Sequence, residues 1–222
     1  MTRIVVGVDE SGRGALAGPL VVTAAAFAEE TPRIVATWHG LRGDKTLTVG
    51  DSKGISNPAH REALKRAIDS GALAVATITR TSTEIDARLM HVVFPETIRL
   101  AISRCLEKLA LSGRLRQKDD CVIMVDGDTP LPKDIPCPMH AVPDGDRIVW
   151  QIGAASVVAK VTRDGLMDAL HEKYPEWEFD KHRGYPTPRH KALLKKLDLT
   201  PVHRKTFRPV AEAKGLPPGF EL

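Results

Sequence analysis

Two short apolar runs in this chain each end in carboxylate side chains. Ile4 to Val8 is rich in β-branched residues and is followed by Asp9 and Glu10, while Cys121 to Val125 is followed by Asp126. Runs of this length and composition predict buried strands. Because ligands gather outside the ends of the strands in an open sheet, we expect these carboxylates to lie at a sheet edge.

The rest of the chain predicts strands mixed with amphipathic helices. Further strands are predicted at Leu20 to Phe27, Val35 to Trp38 and Ala72 to Ile78, and helices at Asn57 to Ile68, Pro95 to Leu111, Trp150 to Leu170 and Pro188 to Leu197. The proline-rich stretch from Thr129 to Pro143 is predicted to be a loop or an edge strand. This order indicates an α/β or α+β architecture built on a mixed sheet.

Charge is distributed unevenly along the 222 residues. The formal net charge is +4, yet Lys181 to Arg208 alone carries nine Lys or Arg and one acid, which leaves 23 basic and 27 acidic residues elsewhere. A basic run of this kind is either a solvated face or a surface for a polyanion such as nucleic acid. Because the composition changes to Pro, Gly, His and Lys after Tyr174, we divide the chain into a main domain, residues 1–173, and a basic extension, residues 174–222.

The cysteines and the hydropathy pattern exclude several protein classes. Cys105, Cys121 and Cys137 have no metal-binding spacing and form an odd set, so we expect free thiols in a reducing compartment. Neither a secretory leader nor an apolar stretch long enough for a membrane span is evident. These features predict a cytoplasmic protein without a membrane partner, and we expect a monomer.

A fourth acid, Asp164, lies on the predicted helix from Trp150 to Leu170 and could reach the same sheet edge. Taken singly, each acid is explained as a turn or cap residue, and Lys160 with Asp164 as a surface ion pair. As a set they suggest a metal site, because clustered carboxylates repel one another unless a cation lies between them. Oxygen ligands favour Mg²⁺ or Mn²⁺, and four carboxylates can hold two such ions for phosphodiester hydrolysis.

Gly12, Arg13 and Gly14 follow the first acids directly. This triplet is too short for a dinucleotide-binding fingerprint, and the Gly-Lys-Ser/Thr ending of a P-loop is absent. It is either a mobile turn or a place where the backbone approaches a ligand beside a guanidinium group. Serine hydrolase chemistry is not favoured, because no glycine-framed serine elbow occurs and the histidines are scattered.

Together these motifs resemble those of ribonuclease HII in its bacterial form. The resemblance covers nearly the whole chain and the motifs occur in the family's order: VDESGRGALAGP, GDSKGIS, VDGD, GDRIVWQIGAASVVAKVTRD, KHRGYPTPRH and HRKTFRPV. It implies an RNase H-like fold, with a mixed five-stranded sheet flanked by helices and a helical C-terminal extension.

The resemblance also implies a function and its residues. The enzyme would hydrolyse the RNA strand of RNA/DNA hybrids and would cut 5′ of single ribonucleotides in duplex DNA, leaving 3′-hydroxyl and 5′-phosphate ends. The implied ligands of two Mg²⁺ or Mn²⁺ ions are Asp9, Glu10, Asp126 and Asp164. The implied substrate contacts are Gly12, Arg13 and Gly14 at the 2′-hydroxyl, Lys53 at a phosphate and Tyr185 on the sugar past the RNA-to-DNA junction.

The departures from the family pattern remove none of the implied metal ligands. They are Ser11, Ala15, Gly54, Ile55 and Gly153; Gly54 replaces a common lysine and could weaken one phosphate contact.

Arg13 favours ribonuclease HII over ribonuclease HIII, which has lysine there. Two alternatives stay open: another two-metal nuclease of this fold, such as a junction resolvase, and a non-catalytic nucleic-acid-binding module.

Overall fold

The structure, a computed structural model, describes residues 3–40, 43–49, 57–128 and 130–216. Its strands are β1 (Ile4–Ser11), β2 (Leu20–Ala28), β3 (Val35–Gly40), β4 (Gly43–Thr48), β5 (Ala74–Arg80), β6 (Cys121–Asp126) and β7 (Met139–Val142). Its helices are α1 (Pro58–Gly71), α2 (Ser82–Arg88), α3 (Met90–Leu111), α4 (Gly145–Ile148), α5 (Trp150–Lys173), α6 (Phe179–His182), α7 (Pro188–Lys196) and α8 (Arg208–Ala213). Every predicted strand and helix overlaps an observed one.

A mixed five-stranded sheet has the order β5-β2-β1-β6-β7, which confirms the predicted sheet. Strands β1 and β6 run parallel, with Val8 paired to Val125, so Asp9 and Asp126 each follow one member of the same pair. Strand β6 also runs parallel to β7, which forms at the end of the proline-rich stretch and lies at the sheet edge. Strands β3 and β4 form a separate antiparallel pair.

The chain divides into two compact units. The first contains Met1–Glu10, Val22–Ile78 and Thr97–Val161, and the second contains Ser11–Val21, Thr79–Glu96 and Thr162–Leu222. The predicted boundary between residues 173 and 174 falls inside the second unit. The basic extension thus shares a compact unit with residues 11–21 and 79–96, which sequence periodicity did not predict.

The core of the first unit joins the sheet to α1 and α5. Phe27 on β2 contacts Trp150 with ring centroids 4.6 Å apart, and small residues such as Ala154 and Ala155 let α5 lie close to the sheet. Gly7 is required for this approach, because a Cβ there would lie 2.1 Å from the Gln151 carbonyl. The first turn of α5 therefore packs directly on β1, two residues before Asp9.

The core of the second unit is formed largely by the C-terminal segment. Trp177, Phe179, Leu194 and Val210 are fully or almost fully buried there, together with Met167 from α5. Burial of this much apolar surface is a major stabilising contribution to folding. The described part of the C-terminal segment, residues 174–216, is consequently part of a packed core and not only a charged surface.

Several helices differ from prediction: the short helices α2, α4, α6 and α8 were not predicted, and α3 begins earlier than expected. Helix α3 begins at Met90 rather than Pro95, because Val93 and Phe94 are buried and their packing outweighs the hydrogen bond that an interior proline cannot make. Helix α2 was not predicted, although Thr81 and Glu84 form the capping box that marks its start. Helix α1 begins as predicted, with the Asn57 side chain accepting from the Ala59 amide.

The three cysteines lie inside the folded chain. Cys105, Cys121 and Cys137 are buried free thiols, as predicted. Across the described ranges, no helix combines the length and apolar character needed to cross a membrane.

Candidate functional site

Asp9 lies in a crowded carboxylate environment at the end of β1. Its residue surface is 6% exposed, and its Oδ1 accepts a hydrogen bond from the Glu10 amide at 2.7 Å. Burial raises the pKa of Asp9 well above its ordinary value, the Glu10 and Asp126 carboxylates raise it further, and a hydrogen bond from Ser156 opposes them. The structure thus brings three of the four predicted acids into electrostatic contact within the first unit.

Asp126 is oriented by α4, the short helix that precedes α5. The Asp146 amide, on α4, donates to Asp126 Oδ1 at 3.3 Å. Neither Ser156 nor Asp146 was singled out from the sequence, although both lie within the motif GDRIVWQIGAASVVAKVTRD, residues 145–164. The structure identifies them by their hydrogen bonds, Ser156 to Asp9 and Asp146 to Asp126.

Asp164 lies on α5 in the second unit, and its residue surface is 8% exposed. Arg183 Nε lies 3.9 Å from Asp164 Oδ1. Arg183 also donates to the Asp164 carbonyl at 3.1 Å and to the Asp168 carboxylate. Asp164 therefore has a cation beside it in the present structure.

The donor chemistry of these residues fits hard divalent cations. In the parts of the chain that are described, no three His, Cys, Asp or Glu side chains converge closely enough to hold a metal ion. The pKa of Asp9 is nevertheless raised, first by burial and then by the Glu10 and Asp126 carboxylates, so this environment disfavours its charged form. A divalent cation would lower that pKa, and carboxylate oxygens are the ligands that Mg²⁺ and Mn²⁺ prefer.

The Gly12-Arg13-Gly14 loop belongs to the second unit and has three different environments. Gly12 adopts φ +91° and donates its amide hydrogen to Tyr185 Oη at 3.1 Å. Arg13 is exposed, and its guanidinium carbon lies 4.2 Å from the centre of the Phe94 ring, a cation–π contact. Gly14 is exposed and has open space where a Cβ would lie. The structure thus joins Gly12 to Tyr185, two residues that the resemblance associates with the substrate.

Lys53, the predicted phosphate contact, lies outside the described residues, as do Gly54 and Ile55.

Tyr185 is held on a segment with three buried histidines. The His182 carbonyl accepts from the Tyr185 amide at 2.9 Å, and His190 Nδ1 lies 3.0 Å from the Tyr185 carbonyl. His190 Nε2 in turn lies 3.4 Å from His203 Nε2, whose other ring nitrogen accepts from the Thr200 amide at 3.2 Å. These partners assign Nδ1–H to His190 and Nε2–H to His203, both neutral.

Burial explains why these histidines stay neutral. It lowers the pKa of His190 to about 4, with a smaller effect from nearby His182. It lowers the pKa of His203 to about 3, and here His190 adds to the effect. The histidines of the basic segment are thus neutral core residues that fix the backbone at Tyr185.

The basic residues of Lys181 to Arg208 do not all face outward. Lys191, Lys195 and Lys196 are exposed on or near α7, whereas Arg204 is fully buried. Arg204 and the equally buried Arg163 were not selected from the sequence, since arginine is seldom fully buried. Only the three-dimensional structure identifies them as inward-facing.

The comparisons with known proteins agree with these motifs. A family model described as Ribonuclease HII matches residues 6–210. The chain is 39% identical over 216 residues to Ribonuclease HII of Xanthomonas campestris pv. campestris (strain 8004), which covers 97% of this chain and 79% of that protein. This similarity extends well beyond the motif residues themselves.

Two solved structures have a similar fold. The ribonuclease H2 from Pyrococcus horikoshii OT3 is similar with a TM-score of 0.70 and 25% identity, covering 96% of this chain and 97% of that one. Bst-RNase HIII in complex with Mn²⁺ is similar with a TM-score of 0.61 and 17% identity, covering 96% and 70%. The predicted RNase H-like fold is confirmed by these structures.

Proposed function

This chain belongs to the ribonuclease HII family, and on that basis we propose that it cuts 5′ of single ribonucleotides embedded in duplex DNA as well as within longer hybrids. It is a metal-dependent ribonuclease H, a hydrolase that acts on RNA/DNA hybrids. The observation that carries the finer proposal is the hydrogen bond from the Gly12 amide to the Tyr185 hydroxyl. It places a glycine-rich backbone loop beside an aromatic ring, which suits recognition of one sugar.

We assign the metal-binding role to Asp9, Glu10, Asp126 and Asp164. Two bound Mg²⁺ or Mn²⁺ ions would lower the pKa of the attacking water and stabilise the leaving oxygen. The protein positions the ligands. Val8 on β1 pairs with Val125 on β6, and Asp9 and Asp126 are the next residues along these two strands. Hydrolysis by water leaves 3′-hydroxyl and 5′-phosphate ends, because the 2′-hydroxyl is not the nucleophile.

The 2′-hydroxyl is instead the group that we propose the loop recognises. Gly14 is exposed with no neighbouring atom where a Cβ would lie, so a sugar can approach its backbone. A site built to hydrogen-bond a hydroxyl rejects the analogue without it by roughly 10⁴-fold, because its polar groups are then left unpaired. The deoxy substrate differs only by that hydroxyl.

Phosphate contacts position the duplex without determining where it is cut. We assign these contacts to the exposed lysines of the α7 region, Lys191, Lys195 and Lys196, and to Lys53. Arg204 is excluded from this role, because it is fully buried.

The deciding experiment is cleavage of three duplexes that share one sequence: all DNA, DNA with one ribonucleotide, and an RNA strand paired with DNA. We expect metal-dependent cuts on the 5′ side of the lone ribonucleotide, cuts within the hybrid and no cuts in DNA. Cleavage of all-DNA duplex at a similar rate would indicate another nuclease of this fold. Binding without cleavage in either metal would indicate a non-catalytic module.

A further inference from the structure

Arg163 packs against the loop of residues 12–19, which contains the Gly12-Arg13-Gly14 triplet. It is fully buried on α5, where its Nε donates to the Pro19 carbonyl at 2.9 Å and its Nη2 to the Ala17 carbonyl at 3.2 Å. A Cβ on Gly12 would lie 2.0 Å from Arg163 Nε. The Gly12 backbone therefore rests directly on the guanidinium group.

The same guanidinium lies under Tyr185. Its central carbon is 5.0 Å from the centre of the Tyr185 ring, within the range of a cation–π contact. Arg163 thus touches both groups that the proposed function assigns to the sugar, the Gly12 backbone and the Tyr185 ring. A shift of this one side chain would move both of them.

Arg204 holds the same loop from a different part of the chain. It is fully buried, and its Nε and Nη2 both donate to the Gly18 carbonyl, at 3.1 and 2.9 Å. Its Nη1 donates to the Arg13 carbonyl at 3.0 Å. The loop from residue 13 to residue 19 is therefore bound by two guanidinium groups at four carbonyl oxygens.

The segment that carries Arg204 is itself anchored. The Asp86 carboxylate on α2 accepts from the Lys205 amide at 2.7 Å and from the Thr206 amide at 3.0 Å. Asp86 is also buried. Arg204 is therefore presented to the loop by a fixed backbone rather than by a mobile one.

The chemistry of these hydrogen bonds indicates that the two arginines orient the loop rather than stabilise the folded protein. Burying a guanidinium group is unfavourable, and burial lowers the pKa of Arg204 to about 9, with Arg163 adding to that effect. The hydrogen bonds that the two guanidinium groups donate to the loop all end on its carbonyl oxygens. Apolar side chains would fill the same volume without desolvating a charge, but they could not orient those carbonyls.

We propose that Arg163 and Arg204 are positioning residues for ribonucleotide recognition, which fix the loop of residues 12–19 and the Tyr185 ring in the geometry that reads the 2′-hydroxyl. This inference rests on the proposed function. Neither arginine contacts the substrate in this scheme; each acts through the loop, and Arg163 also acts through Tyr185.

The test is Arg163→Lys, which keeps the charge but loses the planar fork. We expect kcat on the lone-ribonucleotide duplex to fall on the order of a hundredfold, because small displacements of reacting groups can reduce a rate by that factor. KM should change little, because phosphate contacts dominate duplex binding. Cleavage of the long hybrid should fall less. The matched control is Arg88→Lys, an exposed arginine paired with Glu96, which should leave both substrates unaffected.

A double-substitution cycle with Tyr185→Ala, which removes the ring that Arg163 contacts, adds a readout that a purely structural role would not change. If Arg163 acts through Tyr185, the losses on the lone ribonucleotide should be non-additive, while distant sites add. Equal losses on both substrates, or additive losses, would overturn the inference. If thermal unfolding shows that Arg163→Lys does not fold, Arg204→Lys replaces it with the same expected substrate preference.

The wild-type enzyme separates this inference from the proposed function. Wild-type cleavage at the lone ribonucleotide with both lysine variants unimpaired would overturn only the positioning role. A wild-type enzyme that does not cut at the lone ribonucleotide would overturn the proposed function and this inference with it.

Discussion

The Gly12 amide donates a hydrogen bond to the Tyr185 hydroxyl at 3.1 Å, although the two residues are 173 positions apart in the chain. The Tyr185 oxygen is the acceptor, so its own hydrogen stays available for a second partner. Tyr185 is therefore both a ring and a hydrogen-bonding link to the loop. These two roles can be separated by substitution.

Tyr185→Ala should reduce cleavage at a lone ribonucleotide strongly, because it removes both the ring and the hydroxyl, and long hybrids should lose less. Tyr185→Phe keeps the ring over Arg163 and should retain part of the activity. Cleavage rates of wild type and both variants on the two duplexes measure this. Equal losses on the two duplexes would contradict a junction-specific role.

Gly14→Ala tests whether substrate approaches the loop backbone. A Cβ at Gly14 meets no protein atom within 4 Å, so thermal stability should be unchanged. Activity on a lone ribonucleotide should fall on the order of tenfold or more, because the methyl group would meet the sugar. Gly165→Ala is the matched control: it also meets no atom, lies in α5, and should raise stability by up to about 1 kcal/mol. Full activity in Gly14→Ala would refute the close approach.

Asp9→Asn should abolish most of the cleavage, on the order of a thousandfold, by weakening metal binding. Stability without metal should be maintained or raised, because the raised pKa of Asp9 shows that burial and neighbouring carboxylates disfavour its charge. Cleavage at increasing Mg²⁺ and thermal unfolding in a chelator measure the two effects. The exposed Asp119→Asn is the control, and near-normal turnover of Asp9→Asn would exclude Asp9 as a ligand.

The lysines of the α7 region test the basic surface better than truncation, since Leu194 and Val210 of the same segment belong to the core. Changing Lys191, Lys195 and Lys196 to Gln should weaken duplex binding. The slope of log affinity against log salt should fall by about 0.9 for each phosphate that a lysine no longer neutralises. Lys133→Gln, at an exposed position in the proline-rich stretch, should leave the slope unchanged. An unchanged slope in the triple variant would show that these charges are only solvated.

Acid should destabilise the protein through His190 and His203. Burial lowers their pKa values to about 4 and about 3, against 6.5 for ordinary histidine. The unfolded chain binds the protons first, so their stabilising contribution is complete above about pH 6.5 and is lost as the pH falls toward about 4 for His190 and about 3 for His203. Each can contribute up to about 1.4 kcal/mol per pH unit in that window. Denaturant unfolding between pH 7 and 4.5 measures this.

The control for the acid effect is a pair of substitutions. His190→Gln should flatten the pH dependence of the free energy of unfolding, while His140→Gln, at an exposed histidine, should not. A pH profile identical in wild type and His190→Gln would exclude His190 as a source of the acid sensitivity.

Local patterns in the sequence were sufficient to predict many of the strands and helices. The β-branched run before Asp9 and the apolar run before Asp126 predicted two strands that do form and do pair, because strand periodicity and burial are short-range properties. Asn57 before Pro58 likewise predicted the start of α1 from local hydrogen-bonding chemistry alone.

Only the tertiary structure decided which distant groups share an environment. The bond between Gly12 and Tyr185 leaves no trace in periodicity, because it depends on how the second unit packs. Arg163 and Arg204 contradict the local expectation that charged side chains face water, and they are buried because loop carbonyls supply their partners. The hydrophobic pattern of a sequence predicts which apolar side chains are buried. Burial of a charged side chain depends instead on hydrogen-bonding partners that the fold brings together.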